Sequence, residues 1–426
     1  MRFQRIHEWF PVLGRSALAA ALCLTVSSAV LGQDDRAVHL QTFDKVWTLV
    51  RDTHFDPELG GLDWQKVRDE LRPRAEKASS KAALRGILNE MLGRLGQSHF
   101  SVIPGGGSAA PESERKLTPP GQQTWDSGLG FAVHLVEGEP RVATVTPGSA
   151  VARAGVQVGW RIVRVGETPV PARCETTCEV NFPLLKASGE EVVVEFRGPG
   201  SEAREVGLPL EARRSRLYEF EGMPAQNVWI EDQVLDGDIG YIAFNAFFDP
   251  VLVISQFERA LRSFGDTEGL VIDVRGNGGG MGEMALTMIG YFTGGKQTLV
   301  GSMIMRDCEL VWYAGPRQFH YDRRVAVLTD RASGSSAEVF AAGMRDAGGA
   351  RLFGQATAGA VLPSVFDRLP NGDSLLHAIG NYVTAEGVEL EGPGVVPDVE
   401  TEPRRGTDML EDEALLFAID WIRGNN

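Results

Sequence analysis

The sequence predicts a multidomain α/β protein with a helical N-terminal part, a mainly β middle part and a larger C-terminal part in which strands and helices alternate. Three observations carry this. Residues 34–98 place apolar side chains at helical spacing, as in Phe43, Val46, Trp47 and Val50, then Leu84, Ile87, Leu88, Met91 and Leu92. Residues 126–211 break into short alternating or β-branched runs (141–145, 161–165, 191–196) separated by Gly and Pro turns. From about Leu217 onward, strand-like runs (239–244, 269–274, 325–329) alternate with helical patterns (251–264, 282–291, 337–347).

The expected divisions are a signal segment at 1–32, a helical domain at 33–103, a linker at 104–125, a β domain at 126–212 and an α/β core at 213–426. The linker reading rests on PGGGSAAPESERKLTPPGQQTW, dense in Pro, Gly and Ser. At the N-terminus, Arg2, Arg5 and Arg15 precede an uncharged, mostly apolar run from Ser16 to Gly32, the plan of a secretory signal with Val30 and Gly32 as its cleavage context. Export to the periplasm or the medium is therefore expected, with membrane attachment only through an uncleaved segment.

The chain of 426 residues is 43% hydrophobic, enough to bury several cores, and its formal charge of −15 excludes non-specific nucleic-acid binding. In an oxidising compartment Cys174 and Cys178 can close a small loop, or all three cysteines after residue 32 can be buried thiols. No histidines cluster with them, so a zinc site is not expected; no other metal and no organic cofactor is implied.

Four segments can carry chemistry. In SGSSAEVFAAGM (333–344), Ser335 and Glu338 fit a capping box, and the same geometry presents a serine hydroxyl at a helix N-terminus, where free N–H groups and the macrodipole stabilise negative charge. GLVIDVRGNGGG (269–280) is a buried-type strand entering a glycine loop. That loop is a tight turn, an oxyanion hole or, through Gly280, Gly282 and Ala285, a loose dinucleotide motif. His99 lies in LGRLGQSHFSVIP (92–104), extended and close to a helix end. It is the histidine best placed as a general base; His39, His54, His134, His320 and His377 sit in no comparable context. Finally, Gly128, Leu129, Gly130 and Phe131 form a loop whose N–H groups can capture a peptide C-terminal carboxylate while the peptide adds a strand to the sheet.

With these motifs in hand the chain resembles the exported serine proteases related to C-terminal processing peptidases and the tricorn core. The resemblance lies in Gly128-Leu129-Gly130-Phe131, Ile239-Gly240-Tyr241-Ile242, 273–280 (DVRGNGGG), Ser335-Ser336-Ala337-Glu338 and 391–398 (EGPGVVPD). It implies a PDZ-like middle domain, a ClpP/crotonase-like core, and Ser335 as nucleophile with the N–H groups of Ser336 and Gly279 as oxyanion hole. Processing peptidases carry a lysine base 25 residues after the serine, and Ala360 stands there. Tricorn-like members instead use a Ser-His pair, a serine and a glutamate, which Ser98, His99, Ser335 and Glu391 match in order. The resemblance thus implies an endopeptidase acting on proteins or peptides, engaged in part through their C-termini. Gln97 replaces an Asp of many members, and Trp160 an Asp of the usual PDZ Gly-Asp pair. The alternatives are a non-catalytic peptide- or hydrophobic-ligand-binding protein on the same fold and a hydrolase of small esters.

Overall fold

The computed structural model describes residues 33–104, 125–127, 129–136, 138–145, 149–174, 184, 190–209, 216–218, 226–235, 238–402 and 412–425. The signal segment, most of the linker, Gly128 and Cys178 lie outside the described residues. Cys174 is buried and Cys308 exposed.

The N-terminal body consists of helices Gln33–Thr53, Trp64–Glu76 and Lys81–Gly93. Asp63 and Ser80 start the second and third by accepting from the N–H groups of Lys66 and Ala83. Their apolar faces meet around Phe43, Val46, Val50, Leu71, Leu84 and Leu88. Two tryptophans lock the first pair, each indole N–H donating to the other's carbonyl: Trp47 to Trp64 and Trp64 to Trp47, both 3.0 Å. The second body is an antiparallel sheet of seven strands between Trp125 and Pro209. Its core holds Phe131, Val142, Ile162, Val194, Phe196 and Trp160, so Trp160 is a packing residue here.

The C-terminal body is built on a six-stranded sheet in the order 230–235, 239–244, 269–273, 324–329, 351–354, 399–400, parallel except for its first pair. Strand Gly269–Asp273 is buried along its whole length because both faces are covered. Leu270 and Ile272 face helices Pro250–Ser263, Gly282–Ile289 and Ser336–Asp346, while Val271 packs against helix Glu413–Ile422. A separate sheet joins 298–305, 309–314 and 380–384.

The pairing that sequence periodicity does not show is made by hairpin 364–368/374–378. It leaves the C-terminal body and pairs with strand Ser101–Ile103, Val102 opposite Leu375. Leu369 and Leu375 enter the helical core, and Arg85 forks onto Asp373, with Nε–Oδ2 at 3.1 Å and Nη2–Oδ1 at 3.0 Å. The pair is almost completely buried. Removing one partner strands the other's charge, so Arg85→Ala is expected to lower the unfolding free energy by about 3 kcal/mol in urea titrations. A loss below about 1 kcal/mol would contradict the clamp.

Candidate active site

Strands Gly269–Asp273 and Arg324–Thr329 are parallel neighbours with Asp273 level with Leu328, so the loops leaving their carboxyl ends emerge side by side. Asp330 fastens them: its Oδ1 accepts from the N–H groups of Gly276 (2.9 Å) and Ala332 (3.0 Å), and burial pushes its carboxyl above the usual range. Asn277, fully buried, donates to Phe244 O at 3.0 Å, and its carbonyl accepts from Gly334 N–H at 3.0 Å. The first loop therefore lies against the turn before helix Ser336–Asp346. A Cβ on Gly279, at φ +95°, would stand 2.6 Å from the Ser335 Cβ and 2.8 Å from Ser336 N; only glycine permits this approach.

Ser335 precedes the helix with φ 54° and ψ −121°, a strained backbone for a residue with a side chain. Two acceptors hold its N–H, Ala360 O at 2.8 Å and Glu338 Oε2 at 3.0 Å. Glu338 does more than cap. Its Oε2 also accepts from Ala360 N–H (2.9 Å), and its Oε1 from Gly359 N–H (2.8 Å) and Thr357 Oγ1 (2.6 Å). Burial pushes this carboxyl above its ordinary value in spite of those four donors. Segment 357–360 is thereby folded against the serine.

His99 also has a positive φ, 59°, and follows the end of helix Lys81–Gly93. Its Nδ1 lies 2.7 Å from Ser98 Oγ, which is 2.9 Å from Glu391 Oε2. A carboxylate only accepts, so the single Ser98 proton goes to Glu391, and Ser98 Oγ must accept from His99 Nδ1–H. Nε2 is left with the lone pair a general base requires. Glu391 Oε1 accepts from Ser98 N–H at 2.8 Å, and Oε2 from Val361 N–H at 3.0 Å. That N–H shares a peptide unit with the Ala360 carbonyl bound by Ser335. One planar peptide therefore joins the Glu391–Ser98–His99 chain to the nucleophile's backbone.

Ser98, His99 and Glu391 are thus brought together, and Ser335, Ser336 and Gly279 adjoin them through 360–361. One expectation changes in detail: the Gly279 N–H donates to Asn277 Oδ1 at 3.0 Å and is occupied. Among the described residues the amides of Ser336 and Gly280 have no acceptor. Leu129, Gly130 and Phe131 stand apart in the β body, the Leu129 N–H bound to Ser127 Oγ at 3.0 Å and Phe131 edge-on to Phe196. Glu338, Asn277 and the 360–361 peptide escape sequence reasoning. Their one legible signal is the capping pair Ser335/Glu338, which hid the larger role.

The chain matches the Peptidase family S41 description over residues 238–401, which contain both loops, Ser335 and Glu391. Residues 35–93 match the Tricorn protease C1 domain, the helical body whose last helix leads to the His99 turn. Two tricorn protease homologues of Streptomyces coelicolor are each 26% identical, over 92% and 89% of this chain but only 33% and 35% of their own length. The chain thus spans about a third of these relatives. The chloroplastic C-terminal processing peptidase of Tetradesmus obliquus is 24% identical, over 85% of this chain and 77% of its own. The solved photosystem II D1 C-terminal processing protease shares the mixed α/β multidomain fold, with TM-score 0.57 and 21% identity, covering 86% of this chain and 93% of that one. The chain is thus similar, over 238–401, to Peptidase family S41 and, as a whole, to tricorn homologues and C-terminal processing peptidases.

Burial holds His99 down at about 4, from an ordinary value of 6.5. A lowered value favours the neutral ring in the native state, so this contribution to stability is complete above about pH 6.5 and is lost as pH falls toward 4. The base stays unprotonated over the same window. The acid limb of kcat/KM for a non-ionising peptide, measured between pH 4 and 8, is expected to have its midpoint below 6.5; a midpoint at 7 or above would contradict a desolvated neutral base.

Proposed function

We propose that the chain is an exported serine endopeptidase in which His99 takes the proton of Ser335, Ser335 attacks a peptide carbonyl, and water later releases the acyl-enzyme. The observation that carries this reading is the chain Glu391–Ser98–His99, which leaves Nε2 unprotonated, tied through peptide 360–361 to Ser335. Ser98 orients the imidazole, and Glu391, through Ser98, stabilises the imidazolium. No lysine is needed.

The Ser336 N–H, at the positive end of helix Ser336–Asp346, supplies one oxyanion donor. Gly280 supplies the second in place of Gly279. The Gly279 carbonyl accepts from Phe247 N–H at 2.9 Å, and in a trans peptide the Gly280 N–H points the opposite way, away from Phe247. In a structure of the enzyme with a peptide boronate on Ser335, one boronate oxygen is expected about 3 Å from both Ser336 N and Gly280 N. Contact with Gly279 N in place of Gly280 N would restore the first assignment.

The division 33–103, 126–212 and 213–426 is proposed for the domains. The β body is read as a PDZ-like module in which the loop from Gly128 to Phe131 binds substrate or partner C-termini, and the core as ClpP/crotonase-like. The apolar run before Gly32 supports export to the periplasm or beyond; among the described residues no helix is long and apolar enough to cross a membrane. Substrates are proteins or peptides, and the relatives' names as peptidases support this over a non-catalytic binding role.

Mass spectrometry of a denatured protein incubated with the wild type and with folded Ser335→Ala is expected to show every wild-type cut absent from the variant. Identical cuts from both would overturn the nucleophile. Glu391→Gln is expected to lower kcat on the order of a hundredfold, since an amide facing Ser98 and Val361 N–H no longer guarantees the proton order; an unchanged kcat would remove Glu391 from the mechanism.

A further inference from the structure

His54 closes helix Gln33–Thr53, its N–H bonded to Val50 O at 3.0 Å, and it is fully buried. Its ring is stacked between Phe55, with centroids 4.5 Å apart, and Phe100, at 5.5 Å and nearly parallel. Phe100 is the residue immediately after His99. The other edge of the ring reaches the same turn: Nε2 lies 2.8 Å from Gln97 Oε1, the residue before Ser98. The segment 97–100 is therefore gripped by one imidazole at both ends.

The polarity of that grip follows from the neighbours. Nδ1 is 3.0 Å from both the N–H and the C=O of Asp56. With Nδ1 accepting the Asp56 N–H, the ring proton sits on Nε2, which donates to Gln97 Oε1. The histidine is also fixed from outside its helix, because Arg306, in the turn of hairpin 298–314, donates through Nε to His54 O at 2.9 Å and through Nη2 to Arg51 O at 2.6 Å.

We propose that His54 is a positioning residue for the base: through Gln97 and the Phe100 ring it fixes the turn that presents His99 Nε2 to Ser335. The inference rests on the reading of His99 as base. Gln97 is then an amide matched to an imidazole donor. It needs no charge, because orientation of His99 is already provided by Ser98 and Glu391. Its carbonyl transmits the position of the first helix to the active site.

His54→Phe keeps the aromatic stack and removes the Nε2–H; Gln97→Ala removes the acceptor; Gln97→Glu keeps one. Steady-state cleavage of a fluorogenic peptide is expected to show kcat about tenfold lower for each of the first two, with KM within twofold, because misplacing a catalytic group costs turnover before binding. The double variant should lose no more than either single one, and Gln97→Glu should stay within threefold of wild type. Additive losses of about a hundredfold in the double variant, a change confined to KM, or wild-type kcat in both singles would overturn the proposal. If His54→Phe fails a thermal-unfolding check, Gln97→Ala against Gln97→Glu decides by the same criteria. His99→Ala is the separate control: wild-type turnover in that variant would remove the base reading itself, whereas loss there with wild-type kcat in His54→Phe and Gln97→Ala would remove only the role of His54.

Discussion

The proposed active site depends on one carboxylate with donors from two sides. Glu391 takes the N–H and hydroxyl of Ser98, which belong to the turn after the helical body, and the N–H of Val361, which belongs to the C-terminal body. A neutral side chain would not order the protons. Because the carboxylate cannot donate, Ser98 must, and the histidine is left with its lone pair on Nε2. The same 360–361 peptide presents its carbonyl to the Ser335 N–H, so the proposed base and nucleophile are referenced to one rigid plane.

This arrangement needs the two bodies to stay in register, and the fold provides for it away from the chemistry. Hairpin 364–378 begins just after Val361 and ends paired with strand Ser101–Ile103, just after His99. The Arg85–Asp373 fork and the apolar contacts of Leu369 and Leu375 hold the hairpin in the helical core. Both partners of the active site are therefore fixed at both ends. The second buried carboxylate, Glu338, organises the nucleophile side in the same manner, accepting from Ser335, Thr357, Gly359 and Ala360.

Elements governed by local pattern were legible in the sequence. Helix Pro250–Ser263 and strands Arg161–Val165 and Ile239–Phe244 fall within a residue of where periodicity places them. The loops at the carboxyl ends of neighbouring parallel strands were legible as motifs, and so were Ser98, His99, Ser335 and Glu391 as a set of residue types. What was not legible depends on distance in the chain. Hairpin 364–378 and the sheet of 298–305, 309–314 and 380–384 exist through pairings remote in sequence. Glu338 reads locally as a cap, and its bonds to 357–360 are visible only once that segment is folded back. The occupation of Gly279 N–H by Asn277 turns on a side-chain rotamer, which no spacing rule reports. His54 sits in no distinctive context in the sequence; its role emerges only once its ring is seen stacked with Phe55 and Phe100.

The central claim is that His99 and Ser335, carried by different bodies, serve one reaction. A peptide chloromethyl ketone tests it most directly, because the reagent must first be captured by the serine and then alkylate the ring nitrogen beside it. Peptide mapping by mass spectrometry is expected to find the alkyl group on His99 in the wild type and on no histidine in Ser335→Ala. Alkylation of another histidine, or an enzyme inactivated with His99 unmodified, would contradict the account.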